Sequence, residues 1–404
     1  MARLWLRRTF TALAIFALTS PSLAACPFCL SGSKTLTQDA GDSMMILWGT
    51  PTNPQLDASS QFQGTTDLQI EIVVKENAFL AGRKMVTLNR YITVDPKNPV
   101  KYLVFCDVFN GKLDAYRGVA LKADSHIAEY LKGSLAIKDK DVTTRLTYFF
   151  KYLDSPELDV SGDAFAEFAN ADYKDYRPLA EKLSADTIVK WLKDENTAPS
   201  RFGLYGSLLG HCGKEEHAKV LRQLLDDPMK RFSNGIDGML AGYVMLNPKE
   251  GWQYVRDTLK DRSKEFLLRY AALRCARFLW DFRPDLISKN DLTEAVALLV
   301  EQDDIADLAI EDLRKWKCWA MTDKVLGLFE KKSHDIPIIR RSIMRFALNC
   351  PSENAKAVAF VKVQKKKDAE WVKDVEEMLQ LDLEAKPVTS PGASTKAPSI
   401  PKTK

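Results

Sequence analysis

The residue types able to do chemistry gather at two places in this chain. The first is Cys26-Pro27-Phe28-Cys29, two thiols at the spacing of a redox dithiol. A redox pair of this spacing sits at the start of a helix that follows a buried strand, and no strand pattern precedes Cys26. Leu30 stands where a haem-attachment motif requires histidine. Two readings therefore remain. In the first, Cys26, Cys29 or both form disulfides that hold the start of the chain. Cys106 is then the expected partner, because it is the other cysteine of the N-terminal third. In the second, the pair handles thiol–disulfide exchange or metal. We favour the first, since a four-residue motif is weak support for redox activity.

The second place is His211-Cys212-Gly213-Lys214-Glu215-Glu216-His217. Two imidazoles, a thiol and carboxylates in one turn are donors that zinc accepts, which makes His211, Cys212 and His217 a candidate metal site. No second paired ligand motif lies nearby, and Gly213 reads as an ordinary helix C-cap. The chain has four histidines, and it lacks a Ser/His/Asp set, a phosphate loop and a dinucleotide fingerprint. We expect no enzyme activity and no cofactor. Acids such as Asp303-Asp304 and Glu311-Asp312 are expected to cap helices or face water. Cys212, Cys275, Cys318 and Cys350 are expected to be free buried thiols, because stacked helices lie about 8–10 Å apart, too far for a disulfide without local convergence.

The elements that must position these groups follow from pattern. Residues 1–25 read as an export signal: Arg3, Arg7 and Arg8 precede an apolar run over 12–18, and Ser22-Leu23-Ala24-Ala25 supplies small residues for cleavage. Leu23-Ala24-Ala25-Cys26 also fits a lipobox, in which Cys26 becomes the acylated first residue and the one means of membrane attachment. Arg7-Arg8-Thr9-Phe10 also fits the core of a twin-arginine signal, so the export route stays open. Removing the leader lowers the formal charge of +4 by three, and removing Lys386, Lys396, Lys402 and Lys404 lowers it by four more. The folded body is mildly acidic, which argues against nucleic-acid binding. Hydrophobic content of 46% and charged content of 28% suit a globular protein of two or three domains.

Residues 26–120 read as a β domain. Leu68, Ile70, Ile72 and Val74 alternate with polar residues, and Val86, Leu88 and Ile92 continue the period. Two further runs, 100–109 and 112–118, flank Asn110-Gly111, a strong hairpin signal. With an apolar run at 44–50 this predicts five strands, enough for a small barrel of OB type. Residues 121–385 read as helical, with stop signals at 154–156, 196–199, 226–228 and 247–248. Helical hairpins are predicted to start near Arg201, Asn234, Phe266, Ile305 and Ile336. Within them Gly203, Gly206 and Gly210 are answered by Gly235, Gly238 and Gly242, after the pairs Arg201-Phe202 and Arg231-Phe232. A repeat of this length indicates stacked helix pairs of HEAT-like type. Glycines at i, i+3 and i+7 share one helix face, where a neighbouring backbone can come close, so we read them as packing surfaces, with a binding surface as the alternative. The Pro/Ser/Thr/Lys-rich stretch 386–404 is expected to be disordered.

Cys26 at the start, Trp48-Gly49 ending a first strand, Lys75-Glu76 ending a long alternating strand and the late Tyr102-Leu103-Val104-Phe105 strand resemble the netrin-like OB-fold module. Metalloprotease inhibitors of that family chelate the target zinc through the amino group of a leading cysteine, and of their motif only Cys26 has a counterpart here. The whole arrangement is similar to uncharacterised secreted bacterial proteins. Taken together, the expectation is an α+β multidomain protein, a small N-terminal β-barrel followed by a HEAT-like α-solenoid. Its expected place is the periplasm, the outer envelope or outside the cell, where it would be a non-enzymatic scaffold binding another envelope or secreted protein. The intact mass of the chain recovered from its producing cell should correspond to a start at Cys26, with or without acyl groups. A mass that includes residues 1–25 would refute export.

Overall fold

The structure is a computed structural model that describes residues 34–57, 63–95, 97, 100–227 and 235–384. The expected signal, the Cys26/Cys29 pair, Arg231-Phe232 and the 386–404 tail lie outside the described residues. Five strands form one antiparallel sheet: β1 (Met45–Leu56), β2 (Gly64–Lys75), β3 (Met85–Leu88), β4 (Val100–Phe109) and β5 (Lys112–Lys122), in the order β3-β2-β1-β4-β5. Asn110 and Gly111 both take positive φ, 50° and 69°, so the predicted β4–β5 hairpin turns as a right-twisted ribbon requires. The expected barrel is corrected. β3 and β5 are edges without mutual strand pairing, so the sheet is open.

The strands also differ from a half-buried pattern. Met45 and Leu47 of β1 and Val104 and Cys106 of β4 face a small core with Leu68, Leu80, Val86, Leu88 and Ile92. Their neighbours Ile46, Trp48, Leu103 and Phe105 face the opposite way, into the main core shared with the helices. Register shifts between β1 and β2 at Ile46/Leu47 and Trp48/Gly49 move β2 from one core to the other along its length. Where β1 and β4 pair, at Met45–Trp48 and Leu103–Cys106, both faces are buried, which is why those two stretches run apolar without a break.

A short helix, α1 (Leu36–Asp42), ties this sheet to the helical region. The backbone N–H of Leu36 and the hydroxyl of Thr37 donate to Asp163, at 2.5 and 2.7 Å, and Thr35 Oγ1 donates to Glu167 at 2.5 Å. At the other end Lys75 Nζ donates to the carbonyls of Ala40 (2.9 Å), Gly41 (2.7 Å) and Ser43. Acid at the N-terminus and base at the C-terminus match the helix dipole. Arg117 of β5 completes the tie through Asp39.

Sixteen α-helices follow among the described residues. The first five are α2 (Ile127–Ala136), α3 (Val142–Phe150), α4 (Leu158–Ala169), α5 (Tyr173–Ala180) and α6 (Ala185–Lys193). Then come α7 (Phe202–Cys212), α8 (Ala218–Asp226), α9 (Ile236–Leu246), α10 (Pro248–Lys260), α11 (Phe266–Phe282) and α12 (Lys289–Val296). The last are α13 (Ala306–Lys315), α14 (Thr322–Leu326), α15 (Pro337–Asn349), α16 (Ala355–Lys367) and α17 (Ala369–Glu384). The five predicted hairpin starts coincide with α7, α9, α11, α13 and α15. These helices pack side by side, α7 on α9, α9 on α11, α13 on α15 and α15 on α17. Between α11 and α13, the Trp280 and Trp316 rings stack in parallel with centroids 4.2 Å apart.

The glycine faces meet each other. A Cβ on Gly238 would lie 2.1 Å from the Gly203 carbonyl oxygen, one on Gly242 2.1 Å from that of Gly206, and one on Gly206 2.7 Å from Met239 Cα. On Gly210 it would come within 2.8 Å of Gly242 Cα. The near-constant offset between touching residues shows that α7 and α9 run parallel. Gly235, at φ 97°, starts α9 against the Gly203 backbone.

Beyond the glycines, successive first helices are joined by arginines. Arg269 binds Asp304 and Gln302, at 2.9 and 2.7 Å, and Gln302 donates onward to the Leu259 carbonyl at 2.8 Å. Arg277 Nε bonds both oxygens of Asp312, at 2.7 and 2.9 Å. Asp312 is a buried partner between helices, so the expectation of surface and capping duties is corrected for it, whereas Asp304, just ahead of α13, faces water as expected while it pairs with Arg269. Burial pushes the Asp312 carboxyl up to about 6 despite the opposing charge of Arg277.

Two predictions follow from this packing. Gly206→Leu and Gly238→Leu should each lower stability by about 1–3 kcal/mol or more through overpacking. Gly162→Ala, on α4 where an added Cβ meets nothing within 4 Å, should raise it by up to about 1 kcal/mol. Urea midpoints test both, and equal midpoints for wild type and the leucine variants would contradict the close contact. Because the native Asp312 carboxyl holds its proton to higher pH than the unfolded one, its contribution to stability falls as pH rises from about 4 to about 6, by at most about 1.4 kcal/mol per unit. Asp312→Asn should flatten the pH dependence over that window; an unchanged slope in urea titrations at pH 4, 5 and 6 would contradict it.

Candidate functional site

The proposed metal ligands part company in the fold. His211 Nε2, at the end of α7, lies 3.0 Å from the Tyr173 hydroxyl, within an aromatic nest that includes Tyr176. Burial first, and then the charges of Arg283 and Arg177, push its imidazole down to about 3, so it stays neutral. Cys212 Sγ donates to the Leu208 carbonyl at 3.3 Å, and His217 Nδ1 accepts from the Lys214 N–H at 2.8 Å. Each donor is used by the helix end or by its aromatic neighbours. Among the described residues no group of three or more His, Cys, Asp or Glu is arranged to hold a metal ion. Gly213 does cap α7, its N–H bonding Leu209 O at 2.8 Å, but at φ −79°, without the left-handed turn typical of such a cap.

The cysteines sort by burial. Cys106 is fully enclosed in the inner core of the sheet, and burial, helped by Asp107 and Asp114, pushes its thiol up to about 12. Cys212 is pushed up to about 11 and Cys275 well above its usual range, again by burial. Cys318 and Cys350 are half-buried free thiols beside Thr293 and Thr322. High thiol pKa values make for poor nucleophiles. The expected partners of Cys106, Cys26 and Cys29, fall outside the described residues. Gly203, Gly206, Gly210, Gly235, Gly238 and Gly242 are brought together, as mutual packing between α7 and α9.

The feature most like a binding site lies elsewhere, in a groove of about 380 Å³ between α13, α15 and α17. Helical spacing builds it. Asp307, Glu311 and Lys315 on α13 are four apart, Ile338, Arg341, Ser342 and Arg345 line it from α15, and Val375, Met378 and Asp382 from α17. Val375 and Ser342 are buried, whereas Ile338 and Met378 are 56% and 49% exposed. The charges are organised from below by Arg314, itself only 2% exposed. It donates to Asp382 at 2.6 Å, to Glu311 at 2.9 Å and to Asn349 at 3.3 Å. Arg345 reaches the same Asp382 oxygen at 2.8 Å. Although burial acts against it, the two arginines hold the Asp382 carboxyl below its usual range. The arrangement is an apolar strip within a rim of fixed charges of both signs. It offers recognition; it assembles no nucleophile or proton relay.

Of these residues the sequence pointed only to Glu311, and to that only as a capping or surface acid. One signal was available: Arg269 with Asp304 and Arg277 with Asp312 stand thirty-five residues apart, the separation of the hairpins themselves. A charge of one sign answered by the other at the repeat spacing marks contacts between repeats. For Ile338 and Met378 no comparable signal exists, because exposed and buried apolar positions on helices at the edge of the described packing read alike.

No family model matches the chain, and no curated protein matches it. Among solved structures, human deoxyhypusine hydroxylase in complex with glycerol aligns at 16% identity, over 62% of this chain and 97% of that one, with a TM-score of 0.25.

Proposed function

We propose that this chain is an exported, non-enzymatic binding protein, a β module of OB or netrin type, its sheet open, carrying a HEAT-like helical array. Its partner is another envelope or secreted protein, bound at the far end of that array. The observation that carries the reading is the α13–α15–α17 groove. Ile338 and Met378 are exposed over a preorganised set of ion pairs, and an apolar centre inside a polar rim is the usual anatomy of a protein–protein contact. The partner this surface fits presents an apolar side chain flanked by charges. Arg341 and Lys315 stand at the rim to meet acids, and Asp307 to meet a base. No described helix is long and apolar enough to cross a membrane. Attachment to a membrane, in this reading, runs through an acylated Cys26.

Capture from a native envelope extract, with wild type and Ile338→Glu chains compared, tests this. A partner retained by wild type should be weakened at least tenfold by Ile338→Glu and by Met378→Glu. It should be unaffected by Lys356→Glu, a change on the exposed face of α16. Equal retention by all four chains would remove the groove as the binding site.

A further inference from the structure

Away from the groove, two buried carboxyls converge on one place in the fold. Asp163 and Glu167 stand one turn apart on α4, 5% and 8% exposed, and both meet the start of α1. Neither is held by an ion pair among the described residues, and they differ in the donors they accept. Asp163 takes four, the Leu36 and Thr37 N–H groups and the Thr37 and Tyr130 hydroxyls, which is the pattern of an ionised carboxylate. Glu167 takes the Thr35 hydroxyl alone. Two negative charges one turn apart repel, most strongly out of water, so the carboxyl with fewer donors is the one that keeps a proton. Arg145 of α3 lies near enough to Glu167 for its charge to favour the ionised form, and its Nε is buried without a hydrogen-bond partner. A buried donor left unpaired is costly, and an ionised Glu167 is the acceptor that would satisfy it.

We propose that Glu167 is a proton-operated latch with two partners: protonated, it holds Thr35 and the start of α1; ionised, it turns to Arg145 and loosens that start. The other charged and titratable groups around it are already engaged or turned to water. On α1, Asp39 is taken by Lys34 and Arg117, and Asp42 by Lys34. From α2 comes Tyr130, whose hydroxyl is on Asp163, and from α3 Tyr148, whose hydroxyl is on the Tyr130 carbonyl. Arg201, ahead of α7, lies over the Phe165 ring, and Asp159, earlier on α4, is exposed. Burial, the largest influence on Glu167, raises its carboxyl above the ordinary value of 4.5, so the folded chain holds this proton to higher pH than an unfolded one. The hold is complete below that ordinary value and is lost as pH rises through the raised one. Lys75 keeps the far end of α1 on the Ala40 and Gly41 carbonyls throughout, so the helix pivots on the sheet rather than leaving it. The latch thereby sets how firmly the sheet is held to the helical array.

Hydrogen exchange in the full chain, with each rate divided by the intrinsic rate at that pH, tests the latch. Between pH 4.5 and pH 9, wild-type protection of residues 36–43 should fall at least about tenfold while α7 and α9 keep theirs. Glu167→Gln keeps an acceptor for Thr35 but cannot ionise, so its protection should stay level across the range. Arg145→Met removes the second partner and should move the loss to higher pH. Protection in α7 and α9 shows whether each variant folds. A level wild-type profile would overturn the proposal without any variant. A loss in Glu167→Gln equal to that of wild type, or a profile of Arg145→Met that coincides with wild type, would overturn it as well.

Discussion

Two helical backbones touch at the centre of this protein, and the shape of the helical region depends on that contact. Gly238 and Gly242 of α9 lie so close to the Gly203 and Gly206 carbonyls that no side-chain atom fits between them. Such an approach costs helix propensity, roughly 1 kcal/mol for each glycine. Here it brings two whole apolar helices together. Ten of the eleven residues of α9 are buried, and eight of the eleven of α7. A helix with almost no exposed side has no amphipathic stripe and must lie inside the structure. The flanking amphipathic helices α8 and α10 cover what the two leave open, with Leu221, Leu225, Val255 and Leu259 buried against the same core.

A second constraint joins the β sheet to the array, and it is electrostatic. Asp163 and Glu167, one turn apart on α4, are buried, and burial raises both carboxyls. Asp163 meets the Leu36 and Thr37 N–H groups and the hydroxyls of Thr37 and Tyr130. Hydrogen bonds of this kind oppose the rise, since they favour the ionised form. A buried carboxylate satisfied by one helix start and one tyrosine tolerates little displacement of either. Together with Lys75 at the far end of α1, it fixes the register of sheet against helices more narrowly than apolar contact alone would.

Much of this organisation is legible in the residues. Asn110-Gly111 announces its hairpin because few other pairs take positive φ twice, and the Asp/Asn/Pro breaks fall between helices because those residues end them. The glycine pattern marks its own contact for a comparable reason. Only a missing side chain permits it, so the absence of side chains is itself visible. Other features were not legible. The alternation of β2 points to one buried face, but register shifts against β1 carry the strand between two cores. His211, Cys212 and His217 are close in sequence, yet a helix end turns their donors to different neighbours. Barrel closure failed as an expectation because strand count and alternation say nothing about whether two edges come within bonding distance.

The groove follows from how the last described helices pack. Inside the array, an arginine on one first helix finds its acid on the next, as Arg277 finds Asp312. Arg314 on α13 looks the same way toward α15 and meets Asn349, which is neutral. Its remaining charge is balanced from its own helix by Glu311 and from α17 by Asp382. Thus α17, packed against α15, occupies the position that a further first helix would take. It does so with a different side-chain set, one that leaves Met378, Leu381 and Leu383 exposed. A helix that only had to shield the core would present a polar outer face. This one balances the last buried arginine and keeps apolar side chains outward. The two requirements coincide where Arg314 and Arg345 already hold Asp382 in position.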